Sequence, residues 1–169
     1  QFGYEIRVIY LVRDIAAAAY SIYSQQIKNH GETRTFAEFI RNWDPHYRNT
    51  IQKAVDCFGT DAMLVYNFEE HRDRLAELFF KDILGVSFVP EERSTINRSL
   101  SPREAEMLRI MNSAYPRNAK FSTFVANALM GVEAQPGSFE VNKAESDYLD
   151  RRFANAVNFV NGFVRGQAT

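Results

Sequence analysis

The chain has 169 residues, 46% of them hydrophobic and 14% aromatic, which supplies enough apolar material for a buried core and excludes wholesale disorder. Its formal net charge of -1 lacks the positive excess that general nucleic-acid or membrane-surface binding needs, so any anion site must be local. With Cys57 as the sole cysteine an intrachain disulfide is excluded and a cytoplasmic setting is expected, and no run approaches the ~20 apolar residues of a membrane span.

The length suits a single domain over residues 1–169. The chain starts at Gln1 without an initiating methionine and enters a strand almost at once, which suggests that the domain is N-terminally incomplete. The run Val8-Ile9-Tyr10-Leu11-Val12 predicts a strand buried on both faces, as in a parallel sheet covered by helices. Arg13 ends it, and Asp14 is placed to cap a helix carrying Ala16 to Ala19, Tyr20, Ile22 and Tyr23. A strand of an open α/β sheet delivers such an arginine to the edge where ligands bind, beside a helix N-terminus. A phosphate there would meet a guanidinium able to make two charge-assisted hydrogen bonds, helped by the helix dipole. Ser21 follows Arg13 by eight residues, near the end of the second helical turn, and its hydroxyl could donate to the same anion. The plainer alternative is that Arg13 pairs with Asp14 or another carboxylate, and that Ser21 is a surface hydroxyl.

A polar break is expected at Lys28-Asn29-His30-Gly31. Thr35-Phe36-Ala37-Glu38 then reads as a capping box opening a short helix with Phe36, Phe39 and Ile40 on one face. Asp44-Pro45 predicts an N-cap and first helical position, with Tyr47, Ile51, Ala54, Val55 and Phe58 as the stripe and Gly59 as the stop. Ala62 to Tyr66 predicts a second buried strand, reached by a right-handed parallel crossover, with Asn67-Phe68-Glu69-Glu70 just beyond its end. Leu75, Leu78, Phe79, Ile83 and Leu84 follow at helical spacing, stopped by Gly85.

Residues 87–98 form a polar connection before Ser101-Pro102-Arg103-Glu104, a second capping box, whose helix turns Met107, Leu108 and Met111 inward and stops at Tyr115-Pro116. Phe121, Phe124, Val125 and Leu129 suggest a short helix ending near Gly131, and residues 133–140 a loop around Pro136-Gly137. A final amphipathic helix runs from about Lys143 through Leu149, Phe153, Ala156, Val160 and Phe163. These late helices are expected against the flank of the sheet.

Metal chemistry is poorly supported, because His30, His46 and His71 are far apart and Cys57 has no neighbouring ligand at zinc-motif spacing. The histidines read as surface or cap residues, and Glu69-Glu70-His71 as a solvated helix start. Neither a Gly-x-Ser-x-Gly elbow nor a Gly-x-x-x-x-Gly-Lys-Ser/Thr loop occurs, and Gly59-Thr60 precedes a strand and so reads as a turn.

Taken in order, these pieces resemble the sulfotransferases that use 3′-phosphoadenosine 5′-phosphosulfate. The second cofactor motif of that family is similar to strand-Arg-Asp-Pro with a serine eight residues after the arginine and an aromatic shortly beyond. Arg13, Asp14, Ser21 and Tyr23 match it, with Ile15 in place of the common proline. The similarity continues through Ser21-Ile22-Tyr23-Ser24-Gln25-Gln26-Ile27-Lys28, Phe36-Ala37-Glu38-Phe39-Ile40, Tyr47, Phe58-Gly59-Thr60-Asp61, Phe68-Glu69 and Leu84-Gly85. It extends more weakly to Asn97-Arg98-Ser99-Leu100-Ser101, covers residues 5–112, and leaves a faint echo in the last helix.

The resemblance implies an α/β, P-loop-kinase-like three-layer fold, its parallel sheet only partly represented and its C-terminal part rich in helices. It implies that Arg13 and Ser21 bind the 3′-phosphate of the sulfuryl donor, or of its product adenosine 3′,5′-bisphosphate. The complete enzyme would transfer the sulfuryl group in line to a hydroxyl or amine of a glycan or small molecule, without a metal and without a nucleic-acid partner. Gln25 and Lys28, one or two turns beyond Ser21, are candidates for the acceptor side, against ordinary solvation of a helix face. The family's Pro-Lys-x-Gly-Thr loop, which binds the 5′-phosphosulfate, is absent, so the catalytic lysine and general base are expected upstream of Gln1. The chain is accordingly expected to be the C-terminal portion of a bacterial-type sulfotransferase. The competing expectation is a non-catalytic module of the same fold that binds a nucleotide or a protein, and a P-loop kinase relative would want a Walker lysine that is equally missing.

Overall fold

A computed structural model of the chain describes residue 3 and residues 5–87, 99–132 and 141–164. The elements are mostly helices with one two-stranded parallel sheet, which places the chain in the general α/β class. It divides into two compact units: Gln1–Asp14, His46–Ser94 and Arg151–Thr169 form the first, Ile15–Pro45 and Thr95–Asp150 the second. Among the described residues no helix is long and apolar enough to cross a membrane.

In the first unit the β-branched run Val8–Val12 forms β1 and the apolar run that starts at Met63 forms β2 (Met63–Asn67), paired in parallel from Val8 opposite Met63 to Val12 opposite Asn67. Helix α3 (Tyr47–Phe58) lies between them in sequence and lays Ile51 into a core with Val12, Met63, Val65 and Val160. Gly59 closes α3 at φ 84°, its N–H donating to Val55 O at 2.8 Å, and a 3-10 turn at Thr60–Ala62 leads into β2. Val164 adds an isolated parallel bridge to Val65.

Three sequence expectations are corrected here. β1 is not buried on both faces: Val12 is buried, but Leu11 is 38% exposed, because no described third strand or outer layer covers it. The α3 helix starts at Tyr47, not at Pro45, because His46 takes the left-handed conformation at φ 55° and interrupts the turn that Asp44-Pro45 would have begun. Beyond β2 the chain forms α4 (Phe68–His71), a 3-10 turn (Arg72–Arg74), α5 (Leu75–Glu77) and a π-helical stretch (Leu78–Ile83), ended by Gly85 at φ 68°. Mixing these pitches destroys the 3.6-residue period on which the expected stripe rested. Leu78 is buried, whereas Phe79 and Leu84 are exposed.

In the second unit α1 (Ile15–His30) packs against α2 (Phe36–Asn42), α6 (Pro102–Ala114) and α7 (Ala119–Met130). Both capping boxes form. Glu38 N donates to Thr35 Oγ1 at 3.4 Å and Thr35 N to Glu38 Oε2 at 2.8 Å; at α6 the Ser101 N to Glu104 Oε2 bond is 2.7 Å. The Tyr23 ring lies 5.3 Å from both Phe36 and Phe39, and its hydroxyl donates to Arg34 O at 2.8 Å. The N-terminal half of α8 (Lys143–Asn161) opens with Asn142 Oδ1 accepting the Glu145 N–H at 3.0 Å, and buries Leu149.

The polar break predicted at Lys28 comes later, since α1 runs to His30 and turns at Gly31, φ 68°. A Cβ at Gly31 would lie 3.2 Å from Ser122 Oγ and 3.3 Å from the Arg117 backbone. The fully buried Asn112 holds this corner: its Nδ2 donates to Ile27 O at 3.0 Å and Glu32 O at 3.3 Å, while its Oδ1 accepts from Ser122 Oγ at 2.8 Å. Within the second unit α6 and α7 pack on α1 and on each other, and within the first unit the end of α8 reaches the sheet core through Val160. On α6 the inward face is Ala105, Leu108 and Asn112, with Met107 half exposed; on α7 it is Ser122 and Ala126, with Phe124 74% exposed. On α7 the buried side chains are small and Phe124 lies outside the contact, whereas α6 buries Leu108 and Asn112 beside Ala105. The predicted loop at residues 133–140 and the connection at 88–98 lie outside the described residues.

Asn112→Ala would remove the amide donor to the Ile27 and Glu32 carbonyls and leave the Ser122 hydroxyl only its bond to Asn118 O, so we expect a loss of about 2–3 kcal/mol in urea unfolding. Asn112→Leu should cost a similar amount, because restored volume does not restore the bonds.

Titration sets two limbs. Hydrogen bonds from Arg34 hold the Glu32 carboxyl below its ordinary value of 4.5, and those from Arg109 do the same for Glu106. Both groups stabilise the fold above about pH 4.5 and lose that contribution as the pH falls through their depressed folded values. Burial pushes the Tyr20 phenol from 10.0 to about 12, so its contribution is complete below pH 10 and disappears as the pH rises toward 12. Thermal unfolding against pH should show Glu32→Gln with a shallower acid limb and Tyr20→Phe with a shallower alkaline one.

Candidate functional site

Because β1 and β2 pair in parallel with Val12 opposite Asn67, the residues that follow each strand emerge side by side. Arg13 follows one strand; Phe68 and Glu69 follow the other. The Asn67 side chain fixes the second exit by capping α4, accepting the Glu69 N–H at 2.9 Å. Glu69 then uses both carboxylate oxygens on the neighbouring strand end. Oε1 accepts from Arg13 Nε at 3.1 Å and Oε2 accepts from the Asp14 backbone N–H at 3.2 Å. The Phe68 ring lies under the guanidinium, 4.7 Å from Cζ. Tyr47 Oη sits 3.4 Å from both the N–H and the carbonyl oxygen of Arg13, and its ring meets Tyr10 edge-on at 6.2 Å. Burial raises the Tyr47 phenol above its ordinary value, keeping it neutral and able to donate.

The Arg13 side chain is 33% exposed. Among the described residues its Nη1 and Nη2 make no hydrogen bond to protein, so one edge of the guanidinium fork is held while another is open. A tetrahedral oxyanion can accept two bonds from such an edge. An ion pair this exposed contributes only about 0–1 kcal/mol to folding, and the cation–π contact adds about 0.5–1 kcal/mol. The arrangement orders a side chain more than it stabilises a fold.

The carboxylate alternative raised for Arg13 is thus realised, by Glu69 and not by the Asp14 side chain. Ser21, the part-exposed seventh residue of α1, Gln25, which is exposed, and Lys28, whose Nζ lies 3.5 Å from Met130 Sδ, all belong to the second unit. Lys28 is accordingly engaged with the end of α7. The solvated-helix reading of Glu69-Glu70-His71 holds for Glu69 and Glu70, both exposed in the first turn of α4, although Glu69 also pairs with Arg13, and fails at His71, which is only 4% exposed, edge-on to Tyr66 at 5.5 Å. His30 and His46 are exposed as expected. Among the described residues no group of three or more His, Cys, Asp or Glu could hold a metal ion. Sequence reasoning missed the roles of Tyr47, Phe68 and Glu69, and the signal that could have found them was strand register.

No protein-family model matches the chain, and no curated protein or solved structure gives a significant match.

At 3.4 Å the Tyr47 hydroxyl bonds are long, so ring packing should carry most of that residue's contribution. Tyr47→Phe is expected to cost less than about 0.5 kcal/mol in denaturant unfolding and Tyr47→Ala about 3 kcal/mol.

Proposed function

We propose that the chain is the nucleotide-recognising part of a sulfotransferase of the P-loop-kinase-like, three-layer type, and that Arg13 binds the 3′-phosphate of 3′-phosphoadenosine 5′-phosphosulfate. The observation that carries this reading is an arginine at the C-terminal end of a parallel strand, held through Nε with its Nη edge open. Ligands of open α/β sheets bind at that end of the strands, and a phosphate dianion fits the free fork in charge and geometry.

When bound, the donor supplies an activated sulfuryl group for transfer to an acceptor hydroxyl or amine. The residues of this chain recognise and orient: Arg13 fixes the phosphate end of the nucleotide, and Phe68 keeps the guanidinium plane in place. A second reading is binding without turnover by a module of the same fold. It shares the nucleotide site and differs only in yielding no sulfated product from donor and acceptor.

Adenosine 3′,5′-bisphosphate should raise the melting temperature more than adenosine 5′-phosphate does. At a concentration about 100 times Kd the stabilisation is about 2.7 kcal/mol. Arg13→Ala should abolish the difference between the two nucleotides. Equal shifts in the unmodified protein, or an undiminished response in Arg13→Ala, would overturn the 3′-phosphate assignment.

A further inference from the structure

Glu69 is the carboxylate paired with the Arg13 guanidinium, and its effect on a second anion has two opposing parts. Its charge repels a phosphate. Its hydrogen bonds remove the freedom that Arg13 would otherwise lose on binding. Geometry and magnitude decide between them. Oε1 holds Arg13 Nε at 3.1 Å and Oε2 holds the Asp14 N–H at 3.2 Å, so a single carboxylate ties the side chain to the backbone of the next residue. The carboxylate is anchored in turn, since Asn67 Oδ1 accepts the Glu69 N–H at 2.9 Å. With Phe68 against one face, 4.7 Å from Cζ, rotation about the Cδ–Nε bond is restricted and the Nη edge is aimed. The rotamer entropy of a free arginine is worth up to about thirtyfold in affinity, whereas repulsion between exposed, screened charges is worth about fivefold or less.

We infer that Glu69 is a positioning residue for anion binding: it pre-orients Arg13 for a phosphate or sulfate group, and it is not a carboxylate occupying the anion's place. The inference rests on the reading of Arg13 as an anion-binding residue, and it adds a sign. Removing a negative charge beside the site weakens binding.

The test uses calorimetric titration of the protein with adenosine 3′,5′-bisphosphate and, separately, inorganic sulfate. The Arg13 Nε–H resonance is followed by 15N spectroscopy, assigned by its loss in Arg13→Ala. Glu69→Ala should bind the bisphosphate about fivefold or more weakly. Glu69→Gln should fall between it and the unmodified protein, because the amide oxygen can still accept one of the two N–H groups. The Nε–H signal, sharp in the unmodified protein, should broaden in Glu69→Ala and recover partly in Glu69→Gln. Thermal unfolding checks that each variant is folded, and Glu69→Gln carries the test if Glu69→Ala is not. Tighter binding by both variants would overturn the inference while leaving the nucleotide reading intact. Binding of sulfate alone, weakened in the Glu69 variants, would support the inference and overturn the nucleotide reading. If neither anion perturbs the Arg13 signal, both fall.

Discussion

Parallel pairing in register is the constraint on which the candidate site depends. Two five-residue strands run the same way with Val12 opposite Asn67, so their C-terminal ends coincide and everything that follows them is gathered at one place. Side chains alternate faces with every residue along a strand, and a slip of β1 by one position would turn Val12 out of the core that also holds Ile51, Met63, Val65 and Val160. Burial of those side chains therefore fixes the register. The register in turn sets Arg13 beside Phe68 and Glu69. Packing of a small apolar cluster thus determines the position of a charged group outside it.

The second unit relies on a different device. Its helices meet through small residues, Ala18 and Ala19 on α1, Ser122 and Ala126 on α7, which give close approach but little directional information. Direction comes from Asn112, whose amide spans the end of α1 and the Ser122 hydroxyl in one buried group. Apolar packing alone would tolerate sliding of α6 and α7 along α1. An amide with its donors and acceptor engaged does not, because displacement leaves polar atoms buried without partners.

How far the fold was legible in the sequence follows from which signals are local. The β-branched run at Val8–Val12, the capping boxes at Thr35–Glu38 and Ser101–Glu104, and the terminating glycines at 31, 59 and 85 act within a few residues and were readable. The inward face of α7 was not, because apolar size pointed to Phe124 while helix proximity selected Ser122 and Ala126. The start of α3 was misread because Asp44-Pro45 signals a helix and the left-handed turn at His46 overrides it. At the site, Arg13 was identifiable from its place after a strand. Its partner Glu69 is 56 residues away, and only the pairing of two strands makes them neighbours.

Glu69 and Arg13 together present a dipole and not a net charge. The field of a dipole falls faster with distance than that of a single ion, and salt screens what is left within about 10 Å. A ligand of the proposed site would therefore not be drawn in by long-range attraction, and discrimination would begin only at contact, where the open edge of the guanidinium meets oxygen atoms of the right spacing. Selectivity at such a place is a matter of shape, and a diffuse polyanion would hold no advantage over a single well-fitted phosphate.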